Sequence, residues 1–159
     1  YKIMIIRNIL SQEDKEFICN KWNSSRIKKS DHQAKNTSTI RQASFLKDVH
    51  RKVKKILQEK TNLKLKEKFT LIREYKKGDL LKKHVDNASP FAITIIVKQS
   101  DNKENPLIFY NKTSTDTIIL QEGDGYYFKG NEIPHERTEV QSDKILHIYL
   151  GYRYINKLI

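Results

Sequence analysis

The chain is poor in the residues that staple or anchor small proteins. Its 159 residues include one cysteine (Cys19), one methionine, one tryptophan, three prolines and five glycines. A single cysteine excludes a disulfide framework and a four-cysteine zinc site, and it fits a reducing compartment. No apolar run approaches the length of roughly 18 residues that a membrane-spanning helix needs. Neither a phosphate-binding G-x-x-x-x-G-K-[ST] nor a G-x-G-x-x-G is present, and no internal repeat is visible. Acidic residues are outnumbered: 31 Lys and Arg stand against 19 Asp and Glu, a net charge of +12 with pI near 9.7. A field of that sign favours acidic partners, nucleic acid among them. The basic runs Arg26-Ile27-Lys28-Lys29 and Arg51-Lys52-Val53-Lys54-Lys55, however, lack the interleaved aromatics of a nucleic-acid platform. A surplus of lysine alongside isoleucine and asparagine is also what A+T-rich coding produces.

What is present suffices for one domain. Hydrophobic residues make up 37% and charged residues 31%, enough to bury a core without disulfides. The expectation is a soluble intracellular monomer with no membrane partner. The chain begins at Tyr1 rather than Met, which leaves a targeting peptide or a further domain upstream open.

The N-terminal part reads as a strand over Lys2–Ile6, then a helix capped by Ser11 with Asp14 three residues on. Phe17, Ile18 and Trp22 give that helix an apolar face. Residues 23–39 are polar and aperiodic and read as a loop or a mobile segment. Phe45, Leu46, Val49, Val53, Ile56 and Leu57 recur at helical spacing. From Phe69 onward, short runs rich in Ile, Thr, Tyr, Phe and Val alternate with turn residues: 70–75, 92–98, 107–110, 117–120, 126–128 and 145–154. Many short strands with regular turns predict a sandwich or barrel. The fold class is therefore mainly β with N-terminal helices (α+β), one domain over 1–159. Residues up to about 62 would supply a strand and supporting helices, and the remainder the β core.

Five histidines are candidates for chemistry. His84-Val85-Asp86 places an imidazole and a carboxylate two residues apart, on one face if the segment is extended. His135, after Pro134 and beyond the 126–128 run, is the best third ligand. Two histidines and one carboxylate form the facial triad of non-haem Fe(II), with open positions for reactants. His32, His50 and His147 read as structural. Cys19 has no base placed to activate it.

The surroundings of this triad carry a resemblance. Tyr75, Gly78, His84 and Asp86 stand at the spacing found in the prolyl 4-hydroxylase branch of the 2-oxoglutarate/Fe(II) dioxygenases. Residues 119–128, with Gly123-Asp124-Gly125, resemble that family's strand, glycine turn and strand before the distal histidine. Pro134-His135-Glu136 follows, and Lys144 stands nine residues after His135, where the family places a lysine or arginine. Arg41, Ser44 and the helix from Phe45 resemble the family's N-terminal helices. The resemblance implies a double-stranded β-helix (jelly-roll, cupin-like) core with Fe(II) held by His84, Asp86 and His135. It implies 2-oxoglutarate as cosubstrate, O2 as oxidant and ascorbate as stimulant, with decarboxylation to succinate and CO2. By the same resemblance Lys144 would pair with the far carboxylate of 2-oxoglutarate, with Lys98 its rival, Tyr75 would donate its hydroxyl, and Thr94 would line the same pocket. Arg153 is a candidate substrate contact.

Glu104-Asn105-Pro106 replaces the Gly-Gly common before the family's third strand, and Leu81 stands where an aromatic is frequent. The implied reaction is hydroxylation of a protein or peptide, with prolyl residues first. One alternative is an AlkB-like nucleic-acid demethylase or hydroxylase. That branch usually carries two arginines six apart, whereas only Lys144 and Arg153, nine apart, are available here. The other is a non-catalytic cupin-like metal-binding module. The loops expected to set the substrate are 23–39 and 99–106.

Overall fold

The computed structural model describes residues 4–31, 34–87 and 89–157. Its elements run β1 (Met4–Ile6), α1 (Gln12–Ser24), β2 (Lys29–Asp31), β3 (Ala34–Arg41), a 3-10 turn (Ser44–Leu46), α2 (Lys47–Thr61), β4 (Leu63–Lys76), β5 (Leu81–His84), β6 (Phe91–Gln99), β7 (Leu107–Tyr110), β8 (Thr115–Ile118), β9 (Gly125–Phe128), β10 (His135–Arg137) and β11 (Lys144–Lys157). Lys2, Ile3 and His32 lie outside the described residues. The strands form a seven-stranded sheet, β1-β9-β6-β11-β4-β3-β2, and a four-stranded sheet, β5-β10-β7-β8. Every pairing is antiparallel. No helix among the described residues is long and apolar enough to cross a membrane.

Alternation along the central strands sorts side chains between two cores. One face of the large sheet, with Ile93, Ile95, Ile148 and Leu150, packs under the helices against Ile18, Trp22, Val53 and Leu57. The other face, with Tyr75, Ala92, Ile96, Phe128 and Ile145, meets Leu107 and Phe109 and forms the barrel interior. Strand β6 serves both cores and is buried without interruption from Phe91 to Val97. Helix α1 starts as its sequence indicates, with Ser11 Oγ accepting from the Asp14 N–H at 3.1 Å. Phe17 departs from the expected apolar face and is 42% exposed; Ile18 and Trp22 carry the contact. Helix α2 ends at Asn62 in the left-handed conformation, φ 57°, which asparagine tolerates.

One expectation needs correction. Residues 23–39 are not a loop, because β2 and most of β3 lie within them and β3 pairs with β4. These strands end the large sheet, where one side meets solvent, so their sequence is polar. The expected N-terminal strand, β1, pairs with β9 at the other edge of the same sheet.

Candidate metal centre

The histidines meet because their strands are neighbours. Strand β10 pairs with β5 so that His135 lies opposite His84, with ring centroids 4.5 Å apart. Asp86 lies just beyond β5, not within it. Its backbone N–H donates to Gly130 O at 2.8 Å, tying the turn to the loop after β9. Asp86 Oδ1 then sits 3.3 Å from His84 Nε2 and 3.4 Å from His135 Nε2. The three side chains offer ligand atoms within 4.8 Å of one another, the one such cluster of His, Cys, Asp or Glu among the described residues.

Each imidazole is oriented from behind. His84 Nδ1 lies 2.6 Å from Lys82 O and His135 Nδ1 lies 2.8 Å from Ile133 O. A carbonyl can only accept, so both Nδ1 atoms carry a proton; once the rings are neutral, both Nε2 atoms present lone pairs to one point, the tautomer a metal ligand needs. The second oxygen of Asp86, Oδ2, accepts from Tyr149 Oη at 3.0 Å. Gly130 leaves room for that oxygen: a Cβ there would lie 2.2 Å from it. Burial pushes the Asp86 carboxyl up, but the His135 and His84 imidazoles outweigh burial and hold it at about 2. Burial pulls His84 down, and its bonds to Asp86 and the Lys82 carbonyl reverse this, leaving it above its ordinary value.

The triad faces a cavity of about 460 Å³ between the two sheets. Its apolar walls include Leu81, Leu107, Phe109 and Phe128. Arg73, Tyr75, Thr94 and His147 also line it. Behind Tyr75 lies Arg137, only 1% exposed, with its guanidinium 4.9 Å from the tyrosine ring centroid. Arg137 Nη1 donates to Asn105 O at 3.1 Å, while Nε and Nη2 have no partner. Tyr75 Oη and His147 Nδ1 are also buried without a well-formed hydrogen bond, and Tyr75 Oη is close enough to favour the Arg137 charge. His147 Nε2 is in close contact with Thr94 Oγ1. Burial, then the charges of Arg137 and Arg73, push His147 well below its ordinary value, so it is neutral. Arg73 differs from Arg137 in having a counter-charge: it donates to Asp31 at 3.0 Å and to Thr39 Oγ1 at 3.1 Å.

An isolated buried guanidinium is costly and cannot lose its proton. Arg137 beside two polar groups without well-formed hydrogen bonds therefore fits an anion bound at this end of the barrel. The donor set at the triad fits a divalent metal with open positions. The residues present thus suit Fe(II) and a dicarboxylate such as 2-oxoglutarate.

The lysines expected in this role are elsewhere. Ile145, His147 and Tyr149 share the inward face of β11, so Lys144 points out and is exposed, opposite Lys76. Lys98 is exposed near Cys19 on the helix side. Arg153 is exposed on the far half of β11, outside the cavity lining. Tyr75 and Thr94 are in the cavity wall as expected. His147, read as structural, is there too. Of the two loops expected at the mouth, only the first contributes, through Ser30 and Asp31; Asn105 of the second caps Arg137. The signal for Arg137 was its place two residues after His135, which puts both on one face of a strand.

No protein-family model and no curated protein matches the chain. Solved structures do. A viral collagen prolyl hydroxylase from Paramecium bursaria chlorella virus-1, in complex with 2-oxoglutarate, matches with TM-score 0.71 and 13% identity over 96% of each chain. A Trichoplax adhaerens prolyl hydroxylase in complex with a hypoxia inducible factor peptide fragment matches with TM-score 0.75 and 14% identity, over 94% of this chain and 82% of that one. OsALKBH1 matches with TM-score 0.67 and 10% identity, over 94% and 97%. The likeness is one of fold: the chain has the double-stranded β-helix of the 2-oxoglutarate/Fe(II) oxygenases.

Proposed function

We propose that the protein is an Fe(II)- and 2-oxoglutarate-dependent oxygenase acting on a polypeptide, with a prolyl residue the first to test. The observation that supports this best is the pairing of two features in one barrel, a triad that faces the cavity and an arginine packed against the cavity-wall residue Tyr75. Two imidazole Nε2 atoms and Asp86 Oδ1 converge on one point, and a buried arginine without a counter-ion lies deeper in the same barrel.

His84, Asp86 and His135 would hold the iron. Arg137 would bind the far carboxylate of 2-oxoglutarate in place of the expected lysine, a charge-assisted contact at a dry site. Tyr75 Oη would donate to the same group. The neutral His147, held against Thr94, would shape the wall without adding charge. Bound iron, 2-oxoglutarate and O2 would supply the oxidising chemistry; the chain's part is to position them and exclude water. Phe109 stacks on the His135 ring at 5.6 Å, and Phe128 meets its edge at 4.9 Å, so apolar surface shields the metal from that side.

Mass spectrometry of proline-containing peptides after incubation with Fe(II), 2-oxoglutarate, ascorbate and O2 tests the substrate. Gain of one oxygen atom on proline is the expected result. Consumption of 2-oxoglutarate with no oxygen transferred to any peptide contradicts the polypeptide reading.

A further inference from the structure

Strands β4 and β11 run past the barrel as a two-stranded ribbon, and the ribbon face continuous with the cavity mouth is basic. Inside the barrel, Phe69, Leu71 and Tyr149 line the cavity. Beyond a bulge at Gly151/Tyr152, Arg153 pairs directly with Lys66, and Lys64 lies two residues further along. Alternation puts Lys64, Lys66 and Arg153 on the same face as Phe69 and Tyr149. All three cations are exposed. Arg41, with a half-exposed side chain, extends the stripe at the mouth, 5.8 Å from the Phe69 ring centroid.

Among the described residues, the charge on this face is uncompensated. Like charges directly opposite on paired strands destabilise a sheet, and Lys66 faces Arg153. Among the described residues neither these two nor Lys64 takes part in an ion pair. The ribbon's carboxylate, Glu67, is on the other face and pairs with Lys54 of α2. Asp31 is shared between Arg41 and the buried Arg73. A sheet that keeps opposed cations beside its cavity mouth gains from a polyanion laid across it.

We propose that this face docks an acidic segment of the polypeptide substrate, in extended form, with carboxylates reaching Lys66, Arg153 and Lys64. The proposal rests on the oxygenase reading for its link to catalysis. Same-face residues on a strand recur about every 6.7 Å, the repeat of alternate side chains in an extended peptide. Lys66 and Lys64 lie two residues apart and a few residues beyond Phe69 of the cavity wall, so the carboxylates belong two residues apart and a few residues from the part of the chain that enters the cavity. Single-stranded nucleic acid fits less well, since its binding needs aromatic platforms for the bases. The ribbon's exposed tyrosine, Tyr154, sits on the other face, near Phe91 at 6.3 Å.

Fluorescence anisotropy on the full chain tests this with three labelled probes. One is a peptide with a central proline and glutamates three and five positions to either side; the second carries glutamines instead; the third is a short oligothymidylate. At low salt the glutamate peptide should bind about tenfold tighter than the glutamine peptide, the effect of two or three exposed ion pairs. The double variant Lys66→Gln/Arg153→Gln should remove that preference, and its melting temperature should rise because the opposed cations are gone. Equal binding of the two peptides, an unchanged preference in the variant, or tighter binding of the oligonucleotide would overturn the proposal. Succinate release by the same protein without peptide reads the oxygenase function separately. Peptide discrimination without succinate supports the docking face and refutes the oxygenase; succinate without discrimination does the reverse.

Discussion

Replacing Arg137 with methionine should leave the free protein at least as stable while removing its response to 2-oxoglutarate. The side chain is 1% exposed, has no carboxylate partner, and makes one hydrogen bond, to Asn105 O. Replacing buried ionic groups with apolar ones of similar volume is neutral or stabilising by about 1–4 kcal/mol. For a chain of this size 1 kcal/mol shifts the melting temperature by roughly 2–4 °C, so Arg137→Met should melt at or above the wild-type temperature. Removing one partner of a buried charge pair costs about 2–5 kcal/mol of binding. With Mn(II) in place of iron and O2 excluded, 2-oxoglutarate at about a hundredfold excess over its dissociation constant should stabilise wild type by about 2.7 kcal/mol. The same concentration should stabilise Arg137→Met by less than about 1 kcal/mol. Differential scanning fluorimetry reads both quantities. An equal 2-oxoglutarate shift in the variant would refute the assignment. So would a large fall in the free variant's melting temperature, which would make Arg137 a structural group.

Four further outcomes are expected. Lys144→Ala and Lys98→Ala should leave 2-oxoglutarate affinity unchanged by calorimetry, since both side chains are exposed away from the cavity. Tyr149→Phe should weaken metal binding about tenfold or more by freeing Asp86 Oδ2, read by Mn(II) titration of the folded variant; unchanged affinity would make the bond incidental. Gly130→Ala should weaken it further, because its Cβ would strike the same oxygen. Asp86 lies below its usual 3.8 in the fold, so its contribution to metal-free stability is present above that value and is lost as pH falls toward 2. His84 lies above its usual 6.5, so its contribution is full below 6.5 and fades as pH rises through the folded value. Metal must displace the Nε2 proton, so affinity should climb over the same pH range, and a flat profile would contradict the Asp86–His84 bond as the group that metal displaces.

Much of this was legible in the sequence because strand alternation and short motifs are local. His84 and Asp86 are two residues apart, the runs after Phe69 announce the β body, and Ser11 caps its helix as read. What failed depended on register or on tertiary environment. Lys144 was placed by counting from His135, but the count crosses a turn, and β11 enters with Ile145 facing inward. Arg137 and Arg73 occupy inward strand positions two residues from His135 and Tyr75, yet an arginine in a lysine-rich chain gives no local sign of being buried. Residues 23–39 looked like a loop because β2 and β3 end a sheet and bury little apolar surface. His147 alternates with apolar residues, which marks it as inward; only the packed barrel shows that it borders the cavity.

The central claim is tested most directly by measuring succinate formed against 2-oxoglutarate consumed, with Fe(II) and O2, for wild type and for His84→Ala and His135→Ala. The account predicts equal amounts of the two in wild type, dependence on added iron, and no turnover in folded variants. Iron-dependent succinate formation that survives in either variant, or wild-type protein that binds iron but never consumes 2-oxoglutarate, would contradict it.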